Sequence, residues 1–252
     1  MSRIRRCLHN TFPAFVYRKL KERYYEKVTL PAATEAELAG IKFDIAGLPP
    51  QMKEVILKGF YEWPEVAICR DLIEPGECIL ELGGAIGFVG LFCLKNLQAA
   101  KVVSVEPNSG TIDRLRRNYK LNSLSANVIQ AAIAAKDGTL HFNVSPYFWT
   151  DSISRDSKQS ANTIEVQALS IQSILNKAGD GFTALILDVE GAEQWLDWRA
   201  LPSSVTKIVL EIHPSILGLA EAYRVLQSAL NCGFEVAAKH EQVFGLVRRQ
   251  KV

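Results

Sequence analysis

The chain has 252 residues, 48% of them hydrophobic and 22% charged, and carries a net charge of +2. These are the proportions of an ordinary globular protein, long enough for one large domain with a sizeable core. They exclude a low-complexity or collagenous chain, no apolar stretch is long enough to span a bilayer, and so small a net charge gives no reason to expect a nucleic-acid partner.

The charge is concentrated at one end. Residues 1–28 hold eight basic side chains against Glu22 and Glu26, whereas the remainder has 21 basic and 25 acidic residues. Residues 14–27 fit a helix with Val16, Tyr17, Leu20 and Tyr24 on one face and Arg18, Lys19, Lys21 and Arg23 around it. Such a segment can lie on an anionic membrane or pack its stripe on the domain with its charges solvated. The narrow, half-polar stripe favours packing over peripheral membrane contact. Residues 1–54 read as a basic helical extension, and residues 55–252 as the main domain. The basic start is not followed by a sustained apolar core, so no secretion signal is expected. The five cysteines (Cys7, Cys69, Cys78, Cys93 and Cys232) are odd in number and lack metal-ligand spacing. Cys78 and Cys93 lie in apolar runs, as reduced thiols in a cytoplasmic protein would.

From Cys78 onward, strands alternate with helices. Cys78–Leu82 reads as a buried strand between Pro75-Gly76 and Gly83-Gly84, and residues 86–97 as a helix apolar nearly all round. Lys101–Val105 is a second strand. A helix over 109–121 presents Ile112, Leu115 and Tyr119 on one face. Asn127–Ala132 reads as strand three. Leu140, Phe142 and Val144 alternate with polar residues, as do Ile164, Val166 and Ala168, which predicts an antiparallel pair carried on the sheet. Between them, 145–162 reads as a long loop bearing Tyr147, Phe148 and Trp149. Ala184–Asp188 and Lys207–Ile212 are strands four and five. A helix near 215–230 is expected to bury Ile216, Ala220, Tyr223, Leu226 and Leu230. Two strands, from Phe234 and from Val243, close the chain as a hairpin. The fold class is α/β: a doubly wound, mostly parallel sheet with an antiparallel edge.

Four segments carry chemistry. The turn Glu81-Leu-Gly-Gly-Ala-Ile-Gly87 lies at the carboxyl end of a strand, where open α/β sheets bind ligands. Its glycines permit a tight turn and close approach of a ligand, but their spacing departs from Gly-x-Gly-x-x-Gly. Glu106, followed by Pro107 and Asn108, ends strand two 23 residues after Gly83. A carboxylate there can accept hydrogen bonds from ribose hydroxyls. Leu187-Asp-Val-Glu-Gly-Ala-Glu193 sets three carboxylates at the mouth of the sheet, where they are costly unless solvated, paired or used; a helix start accounts for Glu193 better than for Asp188. Finally, alternation places Glu211 and His213 on one face near Asp188.

Taken together, these segments resemble the FkbM family of S-adenosylmethionine-dependent methyltransferases. The resemblance rests on Gly59-Phe-Tyr-Glu62, Pro75-Gly76, Glu81–Gly87, Glu106-Pro-Asn108, Asn118, Asn122, Asp188-Val-Glu-Gly-Ala-Glu193 and Glu211-Ile-His213, in that order. It covers about residues 55–215 and implies a Rossmann-like, seven-stranded sheet. The family's loop usually reads Asp-x-Gly-Ala-Asn-x-Gly, whereas Glu81, Gly84 and Ala85 stand here for its Asp, Ala and Asn.

The resemblance implies methyl transfer from S-adenosylmethionine to a hydroxyl of a sugar, glycolipid or secondary metabolite. Expected cofactor-binding residues are Glu81, Gly83, Gly84, Ala85, Gly87, Glu106, Pro107, Asn108, Ala132 and Asp188. An alcohol needs a base or a metal ion to react near neutral pH. Asp188 and His213 are the base candidates, with Glu190 and Glu211 orienting them or the acceptor. These oxygens would suit Mg²⁺, but no ligand pattern demands a metal. The alternatives are a nicotinamide-dependent oxidoreductase, against which the glycine spacing argues, and a non-catalytic nucleoside-binding relative of the fold. Nothing in the sequence bears on oligomeric state.

Overall fold

A computed structural model describes residues 30–143, 152–153 and 163–249. The helix expected over 14–27 and the aromatic group Tyr147, Phe148 and Trp149 lie outside the described residues. In chain order the elements begin with a helical turn α1 (Leu30–Ala32), β1 (Glu35–Leu38), β2 (Ile41–Asp44), α2 (Pro50–Lys58), α3 (Trp63–Leu72) and β3 (Cys78–Leu82). Next come α4 (Phe88–Asn96), β4 (Lys101–Glu106), α5 (Ser109–Leu121), β5 (Val128–Gln130), β6 (Ala132–Ile133), β7 (Gly138–Asn143), β8 (Ser152–Ile153) and β9 (Thr163–Leu169). The rest are α6 (Ile171–Ala178), β10 (Ala184–Leu187), β11 (Lys207–Glu211), α7 (Pro214–Leu217), α8 (Leu219–Asn231), β12 (Phe234–His240) and β13 (Val243–Arg248).

Among the described residues, seven strands form the main sheet in the order β12-β13-β11-β10-β3-β4-β5. The five from β11 to β5 are parallel, and β12 and β13 pair antiparallel on the β11 side. The parallel strands are apolar on both faces because helices cover both. Leu80, Val103, Leu185 and Ile208 face a core shared with Ile174 of α6 and Val225 of α8. Their neighbours Ile79, Val102, Ile186 and Val209 face Ile68 and Cys69 of α3 and Cys93 of α4. This is the doubly wound, Rossmann-like α/β architecture read from the sequence, and its loops converge at the carboxyl ends of β3, β4, β10 and β11. Cys69, Cys78, Cys93 and Cys232 are free thiols. Among the described residues no helix is long and apolar enough to cross a membrane.

Several expectations are corrected. Strand three is two strands, because at Ala131, whose N–H donates to Glu106 O (3.2 Å), the chain leaves the main sheet. Beyond it β6 pairs with β9, so the antiparallel pair, with Leu140 opposite Val166, belongs to a separate four-stranded sheet in the order β6-β9-β7-β8. The helix expected over 215–230 breaks at Gly218 (φ 82, ψ 152) and restarts in a new register. It therefore buries Ala222, Val225 and Ala229, while Tyr223 is 71% exposed. Residues 35–44, within the expected helical extension, form the hairpin β1–β2. Ile41 and Phe43 of that hairpin pack in one core with Phe88, Phe92, Leu115 and Tyr119. Buried Asn118 accepts from Asp44 N (2.8 Å) and donates to Ile86 O (2.8 Å), and Asn122 bonds both the N–H and the carbonyl of Lys42 (3.0 and 2.8 Å). The two asparagines of the motif series thus staple the hairpin to α5.

Candidate active site

The glycines between β3 and α4 do different work. Gly83 has φ +90°, and a Cβ there would lie 1.6 Å from the backbone oxygen of Asp188, so only glycine lets the ends of β3 and β10 close together. Gly84 and Gly87 instead make room for packing: a Cβ would meet Ser104 Cβ at 2.8 Å from the first and the Tyr119 ring at 2.9 Å from the second. Alanine, the family's residue at position 84, would crowd Ser104 here. Ala85 sits in the left-handed region at φ 40. Asparagine tolerates that region better than other non-glycine residues, which gives the family's Asn a conformational reason. In this chain the turn survives without it, with the Ala85 N–H held by Glu106 Oε2 at 3.0 Å.

Glu106 is buried at the end of β4, and its other oxygen accepts from Asn108 N (3.0 Å). Asn108 caps α5, accepting from the N–H groups of Gly110 and Thr111. These residues border a cleft of about 640 Å³, whose walls include Glu62, Gly83, Ala85, Glu106, Pro107, Ala132, Ile133, Phe142, Asp188 and Glu190. Of the ten residues expected to hold a cofactor, Gly83, Ala85, Glu106, Pro107, Ala132 and Asp188 line this cleft. Glu81, Gly84, Gly87 and Asn108 do not line it.

Glu81 lies below the loop, 2% exposed, and accepts a hydrogen bond from Ser104 Oγ. Burial raises its carboxyl to about 7 against the hydrogen bonds from Ser104 and the Gly90 N–H. A carboxyl raised by folding binds its proton more tightly in the native state, so its stabilising effect is whole below about pH 4.5 and is lost as pH rises towards 7. Glu81→Gln keeps an acceptor without the charge. It is expected to melt several degrees above wild type at pH 8 and level with it at pH 4.5. A difference that does not change with pH would show that the Glu81 charge is not what the fold resists.

The third and fourth segments meet. His213, 9% exposed at its side chain, stands with Nε2 3.5 Å from Asp188 Oδ1, 3.5 Å from Glu190 Oε2 and 3.7 Å from Glu211 Oε2. On the other side of the ring, Nδ1 is 3.4 Å from Glu193 Oε1. Burial opposes the charge on His213, but the Glu193 contact and the carboxylates of Asp188 and Glu190 raise it to about 9. Glu193 is wholly buried; one oxygen accepts from His213 N (2.9 Å) and the other from Gly191 N (2.8 Å). Burial works against its charge too, yet the His213 bonds hold it below the ordinary carboxylate value. Burial and the neighbouring carboxylates of Asp188, Glu65 and Glu62 push Glu211 up to about 11.

Sequence reasoning misses two members of this cluster. Glu62 and Glu65, from the turn into α3, join Phe60, Asp188, Glu190 and Glu211 around a second cleft of about 650 Å³. Gly59-Phe-Tyr-Glu62 belongs to the motif series but suggests no chemistry, because nothing local places that turn beside β10. Its left-handed Glu62 (φ 50), like left-handed Glu190 (φ 47), marks the backbone of a shaped site. Glu62, Asp188 and Glu190 border both clefts, so the two open onto the same carboxylates.

No curated protein sequence matches the chain. Solved structures resemble it remotely. Precorrin-6y C5,15-methyltransferase from Geobacter metallireducens is 12% identical, with 74% of this chain and 86% of that one covered and a TM-score of 0.44. A methyltransferase from Pyrococcus furiosus is 11% identical, with 91% and 96% covered and a TM-score of 0.41. A putative transferase from Pyrococcus horikoshii is 13% identical, with 91% and 80% covered and a TM-score of 0.47. Residues 82–236 match the methyltransferase FkbM domain. That span holds the Gly83–Gly87 turn, Glu106, the Asp188–Glu193 block and His213, and it sets aside the oxidoreductase alternative. The chain belongs to the FkbM family of methyltransferases.

Proposed function

We propose that the protein is an O-methyltransferase that draws its methyl group from S-adenosylmethionine and delivers it to a hydroxyl of a sugar, glycolipid or secondary metabolite. The observation that carries this reading is the pair of clefts meeting at Glu62, Asp188 and Glu190. The first cleft fits the cofactor: Glu106 for the ribose hydroxyls, the Gly83–Ala85 backbone beside it, and apolar Ala132, Ile133 and Phe142 for the adenine. The cofactor supplies an activated methyl with its own leaving group, so the protein has to orient the acceptor and remove one proton.

The second cleft suits a neutral, hydroxyl-rich acceptor. Its carboxylates can accept hydrogen bonds from hydroxyls, and the Phe60 ring, 66% exposed, offers a stacking face. The same carboxylates disfavour a polyanion such as RNA. Asp188 would receive the hydroxyl proton; His213, raised to about 9 and so protonated near neutral pH, would serve as a base only after losing that proton, and Glu190 and Glu211 would orient them or the acceptor.

The reading is tested by titrating S-adenosylmethionine calorimetrically and by assaying labelled methyl transfer to a panel of glycans and metabolites. Glu106→Ala is expected to weaken cofactor binding by about 10- to 100-fold, the worth of a hydrogen bond to a charged group. Asp188→Asn is expected to lower turnover about 100-fold or more, as for loss of an acid–base group. Failure of the wild-type protein to bind the cofactor would refute the reading. Binding without transfer to any acceptor would leave the non-catalytic relative.

A further inference from the structure

The approaches of the three carboxylates to His213 Nε2 are unusual in length. At 3.5, 3.5 and 3.7 Å they are too long for good hydrogen bonds. The two at 3.5 Å fall instead within, and the third just beyond, the spacing of neighbouring ligands around one small cation, which at bond lengths of about 2.1–2.2 Å stand about 3.0–3.6 Å apart. Asp188, Glu211 and His213 each offer one ligand atom, and these atoms all lie within 4.8 Å of one another.

We propose that Asp188, which borders both clefts, Glu211, which lines the second, and the buried His213 form a binding site for one divalent cation, of the Mn²⁺ or Mg²⁺ class. Acidic side chains close together would not suffice to argue this, but two further observations point to a ligand. The His213 side chain is nine-tenths buried and aimed into the cluster, with Nδ1 turned to buried Glu193 Oε1 at 3.4 Å and its backbone N–H bonded to the same oxygen at 2.9 Å. A carboxylate on the far nitrogen of a ligating histidine is the usual way of holding the ring and selecting the nitrogen that meets the metal. Asp188 Oδ1, on a side chain 22% exposed, is itself buried and accepts no hydrogen bond, its nearest cationic neighbour being His213 Nε2 at 3.5 Å. A group of that kind is costly to keep unless something unseen satisfies it.

Charge leads to the same place. Glu62, Glu65, Asp188, Glu190 and Glu211 gather on one cleft whose lining contains no lysine or arginine. An oxygen-rich set with one imidazole favours a hard or borderline ion over a soft one. This inference rests on the methyltransferase reading for what such an ion would do: beside a bound hydroxyl it would lower the hydroxyl pKa, the step an alcohol acceptor most needs.

The test is a titration of the full chain with Mn²⁺, following free ion by electron paramagnetic resonance, for wild type, Asp188→Asn and Glu211→Gln. S-adenosylmethionine is titrated into the same samples, and melting curves establish that each variant is folded. The wild type is expected to bind one Mn²⁺ per chain, and each variant at least tenfold more weakly. No binding by the wild type at millimolar Mn²⁺, or equal binding by folded variants, would overturn the proposal. Cofactor binding without Mn²⁺ binding defeats the ion site alone. Mn²⁺ binding without cofactor binding upholds the site and defeats the cofactor reading.

Discussion

Replacing Gly83 with alanine is expected to abolish cofactor binding and to destabilise the fold by several kcal/mol. Two independent costs combine. The residue has φ +90°, a conformation that charges any side chain about 1–2 kcal/mol. The new Cβ would also lie 1.6 Å from the Asp188 carbonyl oxygen. That oxygen belongs to the backbone and cannot swing aside as a side chain would. Relief requires the carboxyl ends of β3 and β10 to part, which separates the glycine turn from the Asp188 block. Urea denaturation and S-adenosylmethionine titration of Gly83→Ala measure the two effects. A variant that binds within threefold of wild type would refute this account of the turn.

The second large effect is expected at Glu193. This carboxylate is 0% exposed and serves two backbone N–H groups, those of Gly191 and His213, besides the His213 ring. Glu193→Ala strands these donors in the core, and breaking a buried charge-assisted network of this kind costs about 3–5 kcal/mol. For a chain of this size that corresponds to a fall in Tm of about 6–20 °C. Glu193→Gln can still accept from one of the N–H groups and should lose less. Thermal melts followed by circular dichroism decide the matter, and a Glu193→Ala midpoint within about 2 °C of wild type would show that Glu193 does not hold this network together. Because Glu193 also sets the His213 ring, the variant should bind Mn²⁺ less well even where it remains folded.

The parallel core was legible in the sequence because its signals are local. Runs such as residues 208–210 and 185–187 are apolar on both faces, and glycine or an acid marks where each strand ends. The face of α5 was read correctly from Ile112, Leu115 and Tyr119, since one unbroken helix keeps one register. The face of α8 was not, because the break at Gly218 resets the register by an amount no periodicity reveals. Helix α6 went unseen: it is only eight residues long, although Ser170 caps it through a hydrogen bond from Ser173 N. The convergence of Asp188, Glu211 and His213 followed from strand alternation. Glu62 and Glu65 did not, because they come from a turn about 120 residues earlier, brought to β10 only by packing of α3 on the sheet. The different tasks of Gly83, Gly84 and Gly87 were likewise invisible, since each depends on a neighbour distant in sequence.

The placement of β13 bears on how the protein is made. It pairs with β11 on one side and β12 on the other, so the strand that carries Glu211 is completed by residues 243–248. As the polypeptide leaves the ribosome, β3, β4 and β10 can pair in the order in which they emerge, but one edge of β11 stays bare until residues 243–248 have followed. A nascent chain stalled before Val243 would therefore display an apolar edge, Ile208-Val-Leu210, open to pairing with another copy. The half of the site borne by Glu211 and His213 would set only once β13 has closed that edge, and until then a chaperone that shields it has something to protect.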